Sequence, residues 1–193
     1  EVVAAVGQLA RTRIGAITSA SDLVEITVTG PGGHTARPGR TVDLVTVMSQ
    51  VVTTVPGLLT ERMGGPHNCR LVFGSIHAGA AANVIPSHGV ISGSLRTPDR
   101  DAWDLAPAAL REVLDQVLAP TGASWDLRHV RGVPPVVNAE SAARQLAKAG
   151  RSFLGHDAVI ETEHSWGGDS FGWMTSAVPG AFVRLGTHNP TSD

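Results

Sequence analysis

The stretch DLVEITVTGPGGHTARP, residues 22–38, decides how this 193-residue chain folds. Its first eight residues carry β-branched apolar side chains at every second position, a pattern that predicts a strand with one buried face. The glycines and prolines of residues 30–33 break regular structure, so a loop must follow the strand. The sequence therefore places His34 in a glycine-rich loop at the end of a half-buried strand.

The residues that follow predict an alternation of helices and strands. Apolar spacing predicts a helix over residues 42–55, and Pro56 is expected to end or kink it because proline removes a helical N–H. The other expected elements are a short helix at 58–63, strands at 70–77 and 89–97, a helix at 101–118 capped by Thr97 or Asp99, and a strand at 125–130. This βαββαβ order predicts an α+β ferredoxin-like sandwich, in which a four-stranded antiparallel sheet carries two helices on one face.

The remaining residues read as parts of a second domain. Residues 1–21 offer no self-contained unit, and the tail is too short to bury both faces of a parallel sheet alone. Within this tail the pattern predicts a helix at 141–153, a strand at 158–163, a helical piece at 171–175 and a strand at 181–185. We therefore expect three segments: residues 1–21 and 133–193 as parts of a larger α/β domain, and residues 22–132 as a separate α+β domain.

Composition argues against several classes of partner. The net charge is −2, the pI is near 6.5 and the arginines are scattered, which disfavours nucleic acid. No uninterrupted apolar run reaches the ~18 residues of a membrane span, and no secretion signal is visible. The single cysteine, Cys69, excludes an intramolecular disulfide and fits a reducing, cytoplasmic location. Its side chain is expected to be a small buried hydrophobe.

None of the eight histidines has a spacing typical of a metal site, so the sequence exposes no complete metal cage. His34 is the one with a distinctive context, because glycines beside it permit close approach of a ligand. Its imidazole could donate a hydrogen bond to developing negative charge, or it could cap the next helix. Local chemistry favours neither.

Four further positions are candidates, each with a plainer alternative. Asn83 could bind a carbonyl or carboxylate, although a turn is favoured. The guanidinium of Arg96 could bind the carboxylate of a ligand, or it could form a salt bridge within its own domain. Gly167-Gly168 could face a ligand, with Asp169 capping the next helical turn, and the capping interpretation is the safer one.

Five blocks of the chain, taken together and in order, resemble the M20 metallopeptidase family, in particular its amidohydrolases of N-acyl amino acids, hippurate and auxin conjugates. The blocks are VTGPGGHTARP (28–38), ANVIP (82–86), GSLRT (93–97), GGDSF (167–171) and VPGAFVRLG (178–186). The resemblance implies that residues 22–131 form a lid on a catalytic α/β domain, and that lids pair edge to edge in a homodimer.

The resemblance also implies roles for the candidates. His34 would reach the partner subunit's active site and stabilise the oxyanion, Asn83 and Arg96 would hold an N-acyl amino acid, and Gly167 and Gly168 would line the pocket. A divalent metal (Zn, or Mn, Co or Ni) would be held by residues outside this chain. A desuccinylase or carboxypeptidase of the same family is the enzymatic alternative, and a non-catalytic dimerisation or small-ligand-binding module is the other.

Two departures from the family pattern limit these expectations. The family has Glu-Asp-Phe where this chain has Asp169-Ser170-Phe171, which leaves the role of that segment in doubt. His188 follows Leu185-Gly186 too closely to match the family's downstream metal ligand. No metal ligand is therefore assigned within the chain.

Overall fold

The computed structural model describes residues 9–65 and 68–186. The strands are β1 (Leu9–Thr12), β2 (Gly15–Thr18), β3 (Ser21–Thr29), β4 (Gly33–His34), β5 (Arg70–Ala78), β6 (Val84–Ile85), β7 (His88–Arg96), β8 (Ser124–Val133), β9 (Val136–Asn138) and β10 (Val159–Glu161). The α-helices are α1 (Leu44–Arg62), α2 (Arg100–Leu118), α3 (Glu140–Leu154) and α4 (Gly172–Ala177). The chain forms two compact units, and the expected lid corresponds to the unit of residues 21–132.

The lid contains a four-stranded antiparallel sheet in the order β5-β7-β3-β8. The central pair is regular over its length, from Asp22 opposite Leu95 to Thr29 opposite His88. Strand β5 pairs with β7 through a register shift between Phe73 and Ser75, where Gly74 makes a bulge. Strand order and element order together confirm the predicted ferredoxin-like sandwich.

Helices α1 and α2 pack on one face of this sheet and build the core of the lid. The alternating residues of β3 point into that core: Val24, Ile26 and Val28 have no exposed surface. The helices contribute fully buried side chains that include Met48, Leu59, Leu110, Leu114 and Leu118. Each such side chain contributes about 1.5–3 kcal/mol when it leaves water, so this layer is the main source of the lid's stability.

Helix α1 corrects the expectation that a new helix starts at residue 58, and of the two expected effects of Pro56 it contradicts the end of the helix. One helix runs through Pro56 to Arg62. Its apolar stripe continues across the proline, since Val55 and Leu59 are both fully buried. Tertiary packing of that stripe offsets the missing N–H, which would otherwise have bonded the carbonyl of Val52.

Helix α1 is also long and apolar enough, by length and composition, to cross a membrane. Core helices of soluble proteins meet the same test. The six buried residues of α1 form the inner layer of the lid core. We therefore interpret α1 as a core helix.

The second unit combines the described residues before Ser21 with those from Val133 onward. Strand β1 pairs in parallel with β10, and β2 pairs antiparallel with β9, so the segment before the lid is completed by residues far along the chain. The strand predicted at 181–185 is wrong. That segment has no strand partner among the described residues and is held instead by the Asn138 amide, which donates to the Phe182 carbonyl (2.9 Å) and accepts from its N–H (2.6 Å).

Candidate functional site

The glycine-rich loop and the ANVIP block form one small structure on the lid. Strand β4 pairs with β6, which places His34 opposite Val84. The N–H of Thr35 donates to the Asn83 carbonyl at 3.1 Å. The structure therefore brings together two predicted site residues, His34 and Asn83, that are 49 positions apart in the sequence.

Local hydrogen bonds explain why the loop folds in this way. Gly32 has a φ of +69°, a backbone conformation that residues other than glycine rarely adopt. Its carbonyl accepts a hydrogen bond from the Thr41 hydroxyl at 2.7 Å. The N–H of Gly30 donates to the Ser87 carbonyl at 3.0 Å. The Gly30 bond ties the loop to the β6–β7 connection, and the Thr41 bond ties it to the segment before α1. The position of His34 is set by these contacts.

The His34 ring is exposed, and its Nδ1 atom accepts a hydrogen bond from the Ala36 N–H at 3.1 Å. A neutral imidazole that accepts at Nδ1 carries its proton at Nε2, so the outer nitrogen of the ring is a donor. The alternative role, capping the next helix, is wrong: Asp43 caps α1 by accepting from the N–H groups of Val45 and Thr46.

A shallow open depression of about 600 Å³ adjoins this loop. It is lined by residues 31–33, 79–81 and 84–88, most of them glycine, alanine and proline. Asn83 is exposed beside it, and its side-chain amide makes no hydrogen bond to any residue that the structure describes. The loop therefore presents an imidazole and a primary amide next to a surface formed mostly by glycine, alanine and proline.

Arg96 lies at the other end of the lid sheet. It ends β7, opposite Arg70 of β5, whereas the His34 loop adjoins the beginning of β7 at His88. Nine residues of strand span about 26 Å, at roughly 3.3 Å each. Within one lid the structure therefore does not bring Arg96 together with His34 and Asn83.

Gly167 and Gly168 belong to the second unit and are exposed. The Gly167 carbonyl accepts from the Ser19 N–H at 3.0 Å, which fixes this turn beside β2. Asp169 accepts from the Phe171 N–H at 2.8 Å and so stabilises the turn that leads into α4. Helix α4 itself has Phe171 as its N-cap and no side-chain cap, so Asp169 stabilises the turn before the helix.

Sequence reasoning missed a buried polar cluster around Asp22. The carboxylate accepts from His129 Nε2 (2.7 Å), from Trp103 Nε1 (2.9 Å) and from the Gly132 N–H (3.0 Å). Burial acts to raise the pKa of Asp22, but the hydrogen bonds from His129, Gly132 and Trp103 outweigh it, so this pKa lies below its ordinary value. The sequence does place an aspartate at the start of a strand expected to lie in the core. Because a buried carboxylate needs hydrogen-bond donors, this position could have indicated the cluster.

The residues that the structure describes contain no group of three His, Cys, Asp or Glu side chains that could hold a metal ion. Cys69 is buried, and burial raises the pKa of its thiol to about 12, which keeps the thiol protonated and unreactive. His188 lies outside the described residues. No metal-dependent step is assigned to the described side chains.

The chain is thus a ferredoxin-like α+β domain, with residues of a second unit before and after it in the sequence. The family model of the peptidase dimerisation domain of M20 peptidases matches residues 20–122. The chain belongs to the M20 peptidase family and carries its dimerisation domain.

The relatives include two proteins with hydrolase names and one with a ligase name. The chain is 37% identical over 96% of its length to a Rhodococcus jostii protein named "Putative glutamate--cysteine ligase 2-3", of which it covers 23%. It is 31% identical over 91% of its length to "Probable hydrolase sll0100" of Synechocystis, of which it covers 45%. It is 26% identical over 90% of its length to an N-acetylcysteine deacetylase of Bacillus subtilis, of which it covers 45%.

A solved structure shows the same fold. It is the Bacillus subtilis YXEP protein, described as a dinuclear metal-binding peptidase of the M20 family, with a TM-score of 0.75 at 24% identity. The alignment covers 95% of this chain and 45% of that one. The chain thus spans half or less of the length of these relatives.

Proposed function

We propose that the protein hydrolyses the amide bond of a small N-acyl amino acid, and that this chain supplies the lid that completes the active site. The observation that carries the proposal is the His34 ring, whose Nδ1 is occupied by the Ala36 N–H while Nε2 remains available to donate. An N–H held in a fixed direction is suited to the oxyanion that forms when water attacks an amide. The deacetylase name of a relative supports this substrate class.

The lid has a surface suited to a second copy of the chain. Helix α1 has no charged residue from Leu44 to Thr60, although Val45 is 52% exposed and Thr46, Ser49, Gln50, Thr53 and Thr54 are exposed beside it. The same helix packs over β5, the strand at the end of the sheet, where Val72 and Ile76 are also exposed. Uncharged helix surface next to an open strand edge favours an interface in which sheets pair across a two-fold axis.

A dimer would also explain why His34 and Arg96 lie at opposite ends of one sheet. In our proposal each active site uses His34 and Asn83 from one subunit and Arg96 from the other, with Gly167 and Gly168 lining the pocket. The Arg96 guanidinium would bind the substrate carboxylate in a bidentate manner. The two ends of the lid then act in two different active sites.

A divalent metal belongs to the proposal for the whole protein. Its support is the dinuclear metal centre named for the YXEP relative. The described residues of this chain do not provide a site for it. They would contribute hydrogen bonds to substrate and oxyanion, and the metal ligands would come from other parts of the protein.

The test is hydrolysis of N-acyl amino acids by the full-length protein and by its His34→Ala variant. We expect kcat to fall by about 10²–10³-fold, the usual effect of losing one oxyanion donor, while metal content stays the same. His156→Ala is the matched control, because His156 is exposed and lies outside the lid. Equal activity of the two variants would remove His34 from the mechanism, and an inactive wild-type protein would favour a non-catalytic module. Succinylated and peptide substrates in the same panel separate a desuccinylase or carboxypeptidase from an amidohydrolase.

A further inference from the structure

The side of the lid sheet that faces away from α1 and α2, here called the outer face, carries Arg96 at one end. Leu71 and Leu95 are buried in the core on the helical side. Successive side chains of a strand point to opposite faces, so Val72, Ser94 and Arg96 belong to the outer face. All of these residues lie within the lid unit.

A row of side chains crosses the outer face beside Arg96. Ser94 of β7 is directly opposite Val72 of β5 and directly opposite Leu23 of β3. Residues opposite each other in antiparallel strands share a face and lie in contact distance. Val72 and Leu23 are 58% and 46% exposed, so two apolar side chains flank the short side chain of Ser94.

Strand β8 extends this row with Val130. The Arg128 guanidinium lies 3.7 Å from the Glu25 carboxylate, and the end of β8 lies against the beginning of β3. Because β3 and β8 are antiparallel neighbours, Val130, two residues after Arg128, falls opposite Leu23, two residues before Glu25. Val130 is 39% exposed. Val72, Leu23 and Val130 therefore form one row, which we call the apolar strip.

The apolar strip has a notch at Ser94. Single exposed apolar residues are ordinary on protein surfaces, but several in one row form a continuous apolar surface. Val72 and Leu23 are two strand spacings apart, about 10 Å, with only a hydroxymethyl group between them. That width suits one branched aliphatic or aromatic side chain.

The charges on either side of the strip differ. Arg96 lies two residues beyond Ser94, about 7 Å along β7, and is directly opposite the exposed Arg70. The Glu25–Arg128 ion pair borders the strip on its other side. Guanidinium groups next to a narrow apolar surface suit a ligand in which a carboxylate adjoins an apolar group.

We propose that the apolar strip binds the side chain of the substrate's amino acid and that the notch at Ser94 selects branched aliphatic or aromatic side chains. The inference rests on the proposed function, in which Arg96 binds the substrate carboxylate. An amino acid side chain branches from the carbon next to the carboxylate, so a carboxylate at Arg96 brings that side chain to the strip. Leu23, Val72 and Ser94 are thus specificity-determining residues.

The kinetic test compares N-acetyl-leucine with N-acetylglycine as substrates of the full-length protein. Wild type should have the higher kcat/KM for N-acetyl-leucine. Leu23→Ser removes apolar contact and Ser94→Val fills the notch, so each should lower the ratio of the two kcat/KM values by about tenfold or more. Both positions lie on central strands, away from the β5 edge of the proposed dimer.

Thr27→Val is the matched control, because it adds an apolar side chain to the outer face of β3 four residues from Leu23. Its ratio should equal that of wild type. An unchanged ratio in Leu23→Ser or in Ser94→Val would overturn the proposal, and so would an equal loss in Thr27→Val.

Methyl NMR of the full-length protein tests the strip without relying on turnover. The probes are N-methanesulfonyl-leucine and N-methanesulfonylglycine, whose sulfonamide bond resists hydrolysis. We expect the leucine compound to shift the methyl signals of Leu23 and Val130 and the glycine compound to shift them much less, while Leu105 on α2 stays unchanged. Equal shifts with both compounds, or none, would overturn the strip even in an active enzyme. The expected shifts in a protein that hydrolyses no N-acyl amino acid would support the strip and contradict the proposed hydrolysis.

Discussion

The Nδ1 atom of His34 accepts a hydrogen bond from the backbone N–H of Ala36 at 3.1 Å. This contact fixes which ring nitrogen carries the proton, and it limits rotation of an otherwise exposed side chain. A backbone donor cannot be lost by ordinary side-chain substitution. The loop therefore stabilises one tautomer of His34 through the shape of its main chain.

Replacing Ala36 by proline removes this donor and tests its contribution. Since one such hydrogen bond is worth about 0.5–1.5 kcal/mol, we expect Ala36→Pro to lower kcat of the full-length enzyme by roughly three- to tenfold. Ala36→Gly keeps the N–H and serves as the control in the same steady-state assay. An equal loss in both variants would mean that the loop, and not the donor, has been disturbed.

The Asp22 cluster predicts a pH dependence of stability. Because the pKa of Asp22 is lowered on folding, its contribution is complete above the unfolded-state value near 3.8 and is lost as pH falls through the folded-state value. At neutral pH, Asp22→Asn should be less stable than wild type by about 2 kcal/mol or more. Urea unfolding at several pH values between 7 and 3 should show this difference shrinking below pH 3.8. A difference that grows on acidification would contradict the lowered pKa.

The backbone of Gly132, at the end of the lid, lies against the carbonyl group of Ser21, which leaves no room for a side chain. Gly132→Ala would push a methyl group against the Ser21 carbonyl, and we expect a loss of about 1–3 kcal/mol in the free energy of unfolding. Gly39→Ala is the matched control, since a Cβ at Gly39 would have no atom within 4 Å. Its effect should stay within about 0.5 kcal/mol. Similar stabilities of the two variants in thermal unfolding would show that the backbones separate easily.

The proposed dimer surface predicts that a lysine introduced within it, but not one introduced elsewhere on the lid, weakens dimerisation. Val45→Lys places two like charges in or near a symmetric interface, so it should shift the protein toward monomer in sedimentation experiments and reduce hydrolysis in parallel. Leu105→Lys should change neither, because Leu105 is 63% exposed on α2 and is not part of the proposed surface of α1 and β5. Dissociation by Leu105→Lys alone would move the interface to the other helix.

The sequence predicted most of the lid because each signal there is local. The alternation in β3 and the helical spacing in α2 both match the structure, and Asp99 caps α2 as one of the two expected residues. Pro56 was misinterpreted because a local penalty was weighed without the packing of Leu59. The expected strand at 181–185 has the right residue types, but its hydrogen bonds go to the side chain of Asn138, a contact that no sequence period reveals.

The site was predictable only in part, for a similar reason. Glycines marked the His34 loop, and its pairing with Asn83 follows once β4 and β6 are adjacent. The distance of Arg96 from both depends on the length and direction of β7. Asp22 depends on partners at positions 103, 129 and 132 that meet only in the folded chain.

Strand β5 has a consequence for how the protein must be handled. A nine-residue strand whose outer side has no described partner can pair with strands of other molecules. The exposed apolar side chains of Val72 and Ile76 favour such association. The bulge at Gly74 interrupts the regular spacing and so disfavours indiscriminate stacking into fibrils. A variant altered so that it no longer self-associates would therefore be expected to precipitate sooner than the unaltered protein at the same concentration.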